Sequence, residues 1–366
     1  MKKIGLYIHI PFCKSKCYYC DFNSYANKEC LIEQYVESLK KEIKNYELEK
    51  YEIKTIYIGG GTPSIIPEKY IEEIIKMVDI SNAQEITIEV NPGTVNYEKL
   101  KKYNEIGINR LSIGLQSTNN SLLKNIGRIH TYQDFLNTYD MARKVGFKNI
   151  NIDLMLGLPS QTLTDLQDSI SKIVDLKPEH ISVYSLILEE DTVLYNKFLD
   201  KEFEMISEEE EREMYWKVKK VLEEKGYIHY EISNFALEGK EAIHNTDCWE
   251  QNEYIGIGAG ASSFLDNKRY TNLTAIEEYI AENIISVEEI LDEKVKMKEF
   301  VMLGLRKIKG ISIEEFYKKF HVNFFEEFEY EFEKLHSFEL LMMENGYIKL
   351  TNKGIDLANM VWEEFV

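Results

Sequence analysis

The chain has 366 residues, 44% of them hydrophobic and 12% aromatic, enough to bury a core, which excludes general disorder. Its 44 Lys and Arg against 63 Asp and Glu leave a net charge of −19, which disfavours a sequence-independent nucleic-acid binder. The length predicts one large domain with a smaller appendage, and the sequence holds no apolar stretch long enough for a membrane-spanning helix.

At the N-terminus, Met1-Lys2-Lys3 followed by Ile4 to Phe12 mimics a signal peptide. His9 and Pro11 interrupt it, and Cys13 stands where a small-residue cleavage site belongs. The segment reads as a buried strand of a cytoplasmic protein. In chain order, apolar β-branched runs predict strands at Ile4–Ile10, Thr55–Gly59, Glu85–Val90, Arg110–Gly114, Asn149–Leu156 and His180–Leu186. Helical patterns separate them at Leu31–Asn45, Glu68–Val78, Tyr97–Ile106, Tyr132–Val145 and Thr164–Val174. Pro67 opens the second helix, and Gly107 and Gly146 close two others. Six strand–helix units without internal repetition predict an α/β fold with a parallel sheet, either an open partial barrel or a doubly wound sheet. Ligands then sit at the carboxyl ends of the strands. From about Ser207 the texture changes. A charged helix is predicted over Glu208–Lys225, a strand over Tyr227–Phe235, and a Gly-rich segment over Gly256–Gly260. Beyond Ser286 come helical patterns, a short strand at Gly346–Leu350 and a terminal helix at Asn352–Phe365. The chain therefore divides into residues 1–235, a connecting segment 236–290, and a small, mainly helical, winged-helix-like domain at 291–366.

Five cysteines are too few for a disulfide framework. Three of them, Cys13, Cys17 and Cys20, fall in one loop directly after the first strand. A structural zinc wants four protein ligands, and iron–sulfur clusters usually take four thiolates. Only the isolated Cys30 and Cys248 remain. Three ligands point to a cluster with one iron left open for a small molecule. After the second strand, Gly59-Gly60-Gly61-Thr62-Pro63 permits positive φ and close backbone approach to a ligand. It lacks the lysine and the spacing of a phosphate-binding P-loop.

With its Cys-x3-Cys-x2-Cys loop the sequence resembles the radical S-adenosylmethionine (SAM) superfamily. The resemblance implies a partial (β/α)6 TIM-like barrel over residues 1–235, in which Cys13, Cys17 and Cys20 hold a 4Fe–4S cluster. The open iron is then chelated by SAM. Tyr7-Ile8-His9-Ile10-Pro11-Phe12-Cys13 is similar to the opening of the oxygen-independent coproporphyrinogen III oxidase group. The likeness runs through almost the whole chain. It implies SAM contacts at Tyr7, Tyr19, Gly60, Gly61, Thr62, Glu89, Gln116, Arg128 and Asp153. In the oxidases some of these positions touch a second SAM molecule.

Two places choose the branch. The oxidases carry an extra cysteine where this chain has Phe22. His244-Asn245-Thr246-Asp247-Cys248-Trp249 is similar to the His-Asn-x-x-Tyr-Trp signature of the heme-chaperone (HemW-type) branch, with Cys248 replacing the usual Tyr. Ser262 likewise stands where relatives often carry His. The resemblance implies heme contact at His244, with Cys248 as a bystander or a soft iron ligand. The first reading is a cytoplasmic chaperone that carries a 4Fe–4S cluster, SAM and heme, and hands heme to apo-hemoproteins such as respiratory enzymes. The alternatives are a coproporphyrinogen III oxidase, decarboxylating propionate side chains through a radical, and a radical methyltransferase acting on heme. Transient membrane contact and a homodimer stay open, as does turnover of SAM.

Overall fold

The computed structural model describes residues 1–282 and 285–365. Residues 283–284 of the expected connecting segment, and Val366 at the end of the expected C-terminal domain, lie outside the described residues. All six predicted strands of the parallel sheet form: β1 (Lys2–Ile10), β2 (Tyr51–Gly60), β3 (Glu85–Val90), β4 (Arg110–Gln116), β5 (Ile150–Leu156) and β6 (His180–Ser185). Each neighbouring pair is parallel. Helices Ile32–Asn45, Glu68–Ile75, Tyr97–Glu105, Tyr132–Val145 and Leu163–Leu176 form the crossovers. Capping boxes start two of them, Thr131 with Asp134 and Thr162 with Asp165.

A side-chain period of two gives each strand one apolar and one polar face. Along β1, Ile4, Leu6, Ile8 and Ile10 are buried in the core shared with Tyr35, Val36 and Leu39 of the first crossover helix. Each fully buried Ile stabilises the fold by roughly 1.5–3 kcal/mol. The opposite phase carries Tyr7 and His9. Register aligns Tyr7 with Tyr57, Tyr57 with Thr87, and Glu89 with Ser112. Gly114 then aligns with Asp153, and Asp153 with Ser182. The concave face is therefore polar from strand to strand. Most parallel sheets carry apolar residues on both faces, and this one departs from that rule where the barrel is hollow.

Among the described residues the sheet has twelve strands and does not close. Beside β6 lie Asn234–Ala236 and then Ile228–Glu231, both antiparallel. The sequence reads Tyr227–Phe235 as one strand. Instead the chain reverses there, and Ser233 N–H donates to Glu231 Oε1 at 3.0 Å. On the far side of β1, Tyr254–Ile257 pairs parallel with it, inside the Gly-rich stretch read as a connection. Ser262–Leu265, Lys268–Asn272 and Ile285–Ile290 extend that edge antiparallel. Short helices at Asn120–Asn125, Val193–Leu199, Ile243–Trp249 and Ile276–Glu282 also escape the sequence reading.

The C-terminal unit packs helices Glu293–Gly304, Ile313–Phe320 and Phe324–Ser337 with a three-stranded sheet of Ile311–Ser312, Tyr347–Leu350 and Leu341–Glu344. This is the expected winged-helix-like arrangement. Phe316, Phe324 and Phe328 pack edge to face or tilted at its centre. The terminal helix is broken into Asn352–Asp356 and Ala358–Glu363. Among the described residues no helix is long and apolar enough to cross a membrane.

Candidate cluster and cofactor site

The cysteine loop leaves β1 at Pro11 and is pinned by other loops at the same end of the barrel. Tyr18 N–H donates to Ile126 O at 3.0 Å, Leu194 N–H to Tyr18 O at 2.7 Å, and Thr62 N–H to Phe12 O at 2.8 Å. The loop therefore has no freedom to swing out. A separate apolar cluster of Leu122, Ile126, Met155, Leu158, Leu186 and Leu194, joined by Tyr18, Tyr19 and Tyr184, supports it from below.

Cys13 is buried, while Cys17 and Cys20 are half-buried. Cys13 Sγ lies 3.5 Å from Thr62 Oγ1, and Cys20 Sγ lies 3.8 Å from Ser24 Oγ. Arg128 Nη1 donates to Cys17 Sγ at 3.4 Å. Its other nitrogen, Nη2, donates to Asn91 Oδ1 at 2.9 Å and to Gly114 O at 2.6 Å. Asn91 Nδ2 in turn donates to Thr62 Oγ1 at 2.8 Å. Burial pushes the Cys13 and Cys20 thiols up in the absence of a metal. Among the described residues no three His, Cys, Asp or Glu side chains converge on one ion. A single tetrahedral zinc is poorly served by that spacing. A cluster presenting several irons, each taking its own thiolate, fits the donor set. Cys30 is exposed and stands apart from the three.

The positions implied for SAM gather at this end. Gly60 has φ +116°, and a Cβ there would run into the His9 ring. A Cβ on Gly61 would sit 2.9 Å from Phe12 O and 3.0 Å from Cys13 Sγ. The glycines are thus required by close packing against β1 and the cysteine loop. Tyr7 OH is hydrogen-bonded to His9 Nδ1 at 2.9 Å. Glu89 Oε1 accepts from Tyr57 OH at 2.9 Å, and Glu89 Oε2 accepts from Gly60 N–H at 3.1 Å. Burial pushes the Glu89 carboxyl up to about 7, with Asp153 adding to the rise. Asp153 accepts from Asn151 Nδ2 at 2.7 Å and is also raised by burial. Gln116 sits at φ +68° on the register shift between β4 and β5. Its Oε1 is buried without a hydrogen-bond partner. An orphaned acceptor costs about 1–3 kcal/mol, so it marks a place where a polar ligand is welcome. Tyr19 is raised by burial and feels the charges of Arg128, Tyr184 and the cysteines. Cluster and SAM both fit the residues present. A narrow cleft opens beside them, lined by Lys14, Cys17, Thr62, Asn91, Arg128 and His130. A second apolar cavity, between helices Leu163–Leu176 and Glu208–Glu224, lies outside the barrel and away from this chemistry.

His244 is not in this group. It lies on the helix Ile243–Trp249 rather than in a loop, and is buried. Its Nδ1 is hydrogen-bonded to Thr55 Oγ1 at 2.8 Å, and its ring comes within van der Waals reach of Gly5. Gly5 precedes the end of β1 by five residues, about 16 Å at the rise of a strand. Burial holds the imidazole down at about 4, so it is neutral. Burial also pushes the Cys248 thiol up to about 12. Asn91, Tyr57 and Ser24 are the site residues that the sequence reading passes over. The period-two polar phase that Tyr57 on β2 shares with Glu89 on β3 is the signal that could have found Tyr57.

Comparison with known proteins gives the family. Residues 7–173 match the radical SAM superfamily and residues 291–357 the HemN C-terminal domain. The heme chaperone HemW of Lactococcus lactis subsp. lactis (strain IL1403) is 39% identical, covering 100% of this chain and 98% of its own. The chain belongs to the HemW heme-chaperone family. The HemW of Bacillus subtilis (strain 168) is 37% identical over 98% of both chains. Among solved structures, the coproporphyrinogen III oxidase HemN from Escherichia coli superposes with a TM-score of 0.85. It covers 100% of this chain and 90% of the oxidase at 21% identity. That likeness shows a shared fold, a partial barrel with the same C-terminal appendage, and nothing about reaction.

Proposed function

We propose that this protein is a cytoplasmic heme chaperone that holds a 4Fe–4S cluster on Cys13, Cys17 and Cys20, binds SAM at Glu89 and Gln116, and passes heme to apo-hemoproteins such as respiratory enzymes. The bound cluster with SAM supplies one-electron chemistry. The protein's own residues orient and shield: Arg128 places positive charge on Cys17, Glu89 offers a carboxylate to an ammonium group, and Tyr7 and Tyr19 line the wall.

The observation that carries the heme reading is the rim of the barrel mouth. Phe22, two residues after the last cluster cysteine, is 63% exposed, Ile129 beside Arg128 is 61% exposed, and Ile187 just beyond β6 is 66% exposed. Val193 and Leu199 on the neighbouring short helix are exposed as well. Apolar side chains set around a polar-floored opening suit a flat apolar macrocycle with acidic edges. Lys14 and Lys16, on the cysteine loop, offer cations for those edges in an otherwise acidic chain. Phe22 also stands at the position where the oxidases carry their extra cysteine, which speaks against decarboxylation.

The test is anaerobic incubation of reconstituted protein with coproporphyrinogen III, SAM and a reductant, beside a heme titration. Heme should bind at micromolar Kd or tighter, roughly −8 kcal/mol, and coproporphyrinogen should be recovered unchanged. Vinyl-bearing product would overturn the chaperone reading in favour of the oxidase.

A further inference from the structure

The helix Ile243–Trp249 lies between the C-terminal unit and the amino-terminal halves of β1, β2 and β3, with His244 and Asp247 buried. At its start, Glu85 accepts the N–H groups of Ile243 and His244, both at 3.1 Å. The His244 ring stacks on Tyr57, with centroids 5.4 Å apart and planes inclined by 30°. Tyr57 OH donates to Glu89 Oε1, and Gly60 N–H holds the other oxygen of that carboxylate. At the helix's far end, the Arg306 guanidinium of the C-terminal unit lies 4.4 Å from the Trp249 ring and 5.0 Å from that of Trp362. Between these ends, Lys54 Nζ donates to Asp247 Oδ1 at 2.7 Å.

We infer that His244 is a positioning residue for SAM: wedged under Tyr57, it fixes the phenol that orients the Glu89 carboxylate, and Arg306 clamps the wedge through Trp249. This rests on the reading that Glu89 holds SAM. The physical need is plain. Tyr57 stands on the polar face of β2, with the Tyr7 ring 6.3 Å away and the His244 imidazole stacked at 5.4 Å. A phenol free to rotate cannot hold a carboxylate in one orientation, and the stacked imidazole is the nearer of the two rings that confine it. Thr55, two residues earlier on the same face, fixes the imidazole in turn. The route from Arg306 to Gly60 is a chain of direct contacts through one short rigid helix, which is the kind of path that coupling requires.

The experiment is SAM titration by calorimetry into cluster-loaded full-length protein, with heme stoichiometry and the Soret maximum recorded on the same samples. His244→Gln, which removes the ring, should raise the SAM Kd about two- to tenfold, the range of one lost aromatic contact. His244→Phe, which keeps a ring, should stay within about twofold of wild type. Tyr57→Phe removes one oxygen and should also weaken SAM binding, and adding His244→Gln to it should cost nothing further. Heme stoichiometry and the Soret maximum should stay unchanged throughout. Additive losses in the double variant would show a merely structural role and overturn the inference. So would loss of heme with SAM affinity intact, which would make His244 a heme ligand. Glu89→Gln is the control for the underlying reading. If it binds SAM like wild type, that reading and the inference fall together. If it weakens SAM binding while His244→Gln does not, only the positioning role is lost.

Discussion

Arg128 Nη1 stands 3.4 Å from Cys17 Sγ, while the same guanidinium is braced by Asn91 and Gly114. Hydrogen bonds and positive charge at a cluster sulfur favour the reduced, more negative state. Replacing Arg128 by Leu should therefore lower the cluster's reduction potential by on the order of 60 mV, one decade for a one-electron couple. Spectroelectrochemical titration checks it. A potential unchanged in Arg128→Leu would mean that the guanidinium serves only to brace Asn91.

Glu89 supplies a pH dependence. Its carboxyl is raised from 4.5 to about 7 by burial, so between those values the folded protein keeps a proton that the unfolded chain has released. Stability should fall as pH rises through that window, by at most about 3 kcal/mol, with the loss complete above about 7. SAM prefers the ionised carboxylate, so its affinity should run the other way, tightening about tenfold from pH 6 to pH 8. Glu89→Gln should remove its contribution from the stability slope and flatten the SAM slope. Denaturant unfolding and SAM titration at several pH values measure them.

The cluster assignment is tested by counting iron. Anaerobic reconstitution should yield about four irons and four sulfides per chain. Cys13→Ala, Cys17→Ala and Cys20→Ala should each abolish the cluster. Cys30→Ala should leave it whole, since that thiol is exposed and stands apart. A full iron complement in Cys17→Ala would sink the assignment.

Much of this was legible in the chain. The β-branched runs and the Gly146 and Pro67 signals mark the six strands and their crossovers within a few residues. The spacing of Cys13, Cys17 and Cys20 marks the loop that neighbouring loops pin at the end of the barrel. What stayed hidden has physical reasons. Tyr254–Ile257 is broken up by Gly256, and Gly258 and Gly260 follow it, so its β pattern is weak although it pairs with β1 along four residues. Helix Ile243–Trp249 has no side-chain cap to announce it. The polar phase of Tyr57, Glu89, Ser112 and Asp153 was present in the alternation, but only a curved sheet turns that phase into a cavity.

The rim can be probed one side chain at a time. Phe22→Ser should weaken heme binding about three- to tenfold, as expected for one exposed aromatic in contact with a macrocycle. Tyr330→Ser, equally exposed but on the C-terminal unit, should leave the heme Kd unchanged. Equal losses from both would mean that heme adsorbs without a site.

Stability of the appendage depends on its aromatic centre. Phe316 is fully buried and touches Phe300, Phe320, Phe324 and Phe328. Phe316→Ala should destabilise the C-terminal unit by about 3–5 kcal/mol, read as a lower denaturation midpoint with the iron content unchanged.

The pairing of β1 with Tyr254–Ile257 sets an order of events during synthesis. The strand that carries the cysteine loop precedes its partner Tyr254–Ile257 by about 245 residues, so one of its two edges stays open until residue 257 has been made. At roughly 5–20 residues per second that is a delay of more than ten seconds in which this edge of an apolar strand lacks a partner. Contacts so distant in sequence form slowly, and an unpaired edge invites association with other chains. Iron delivered to the three cysteines early would meet a loop held from one side only. If Cys13, Cys17 and Cys20 hold a cluster, the topology makes its loading a late step, following translation of the segment that shuts the sheet.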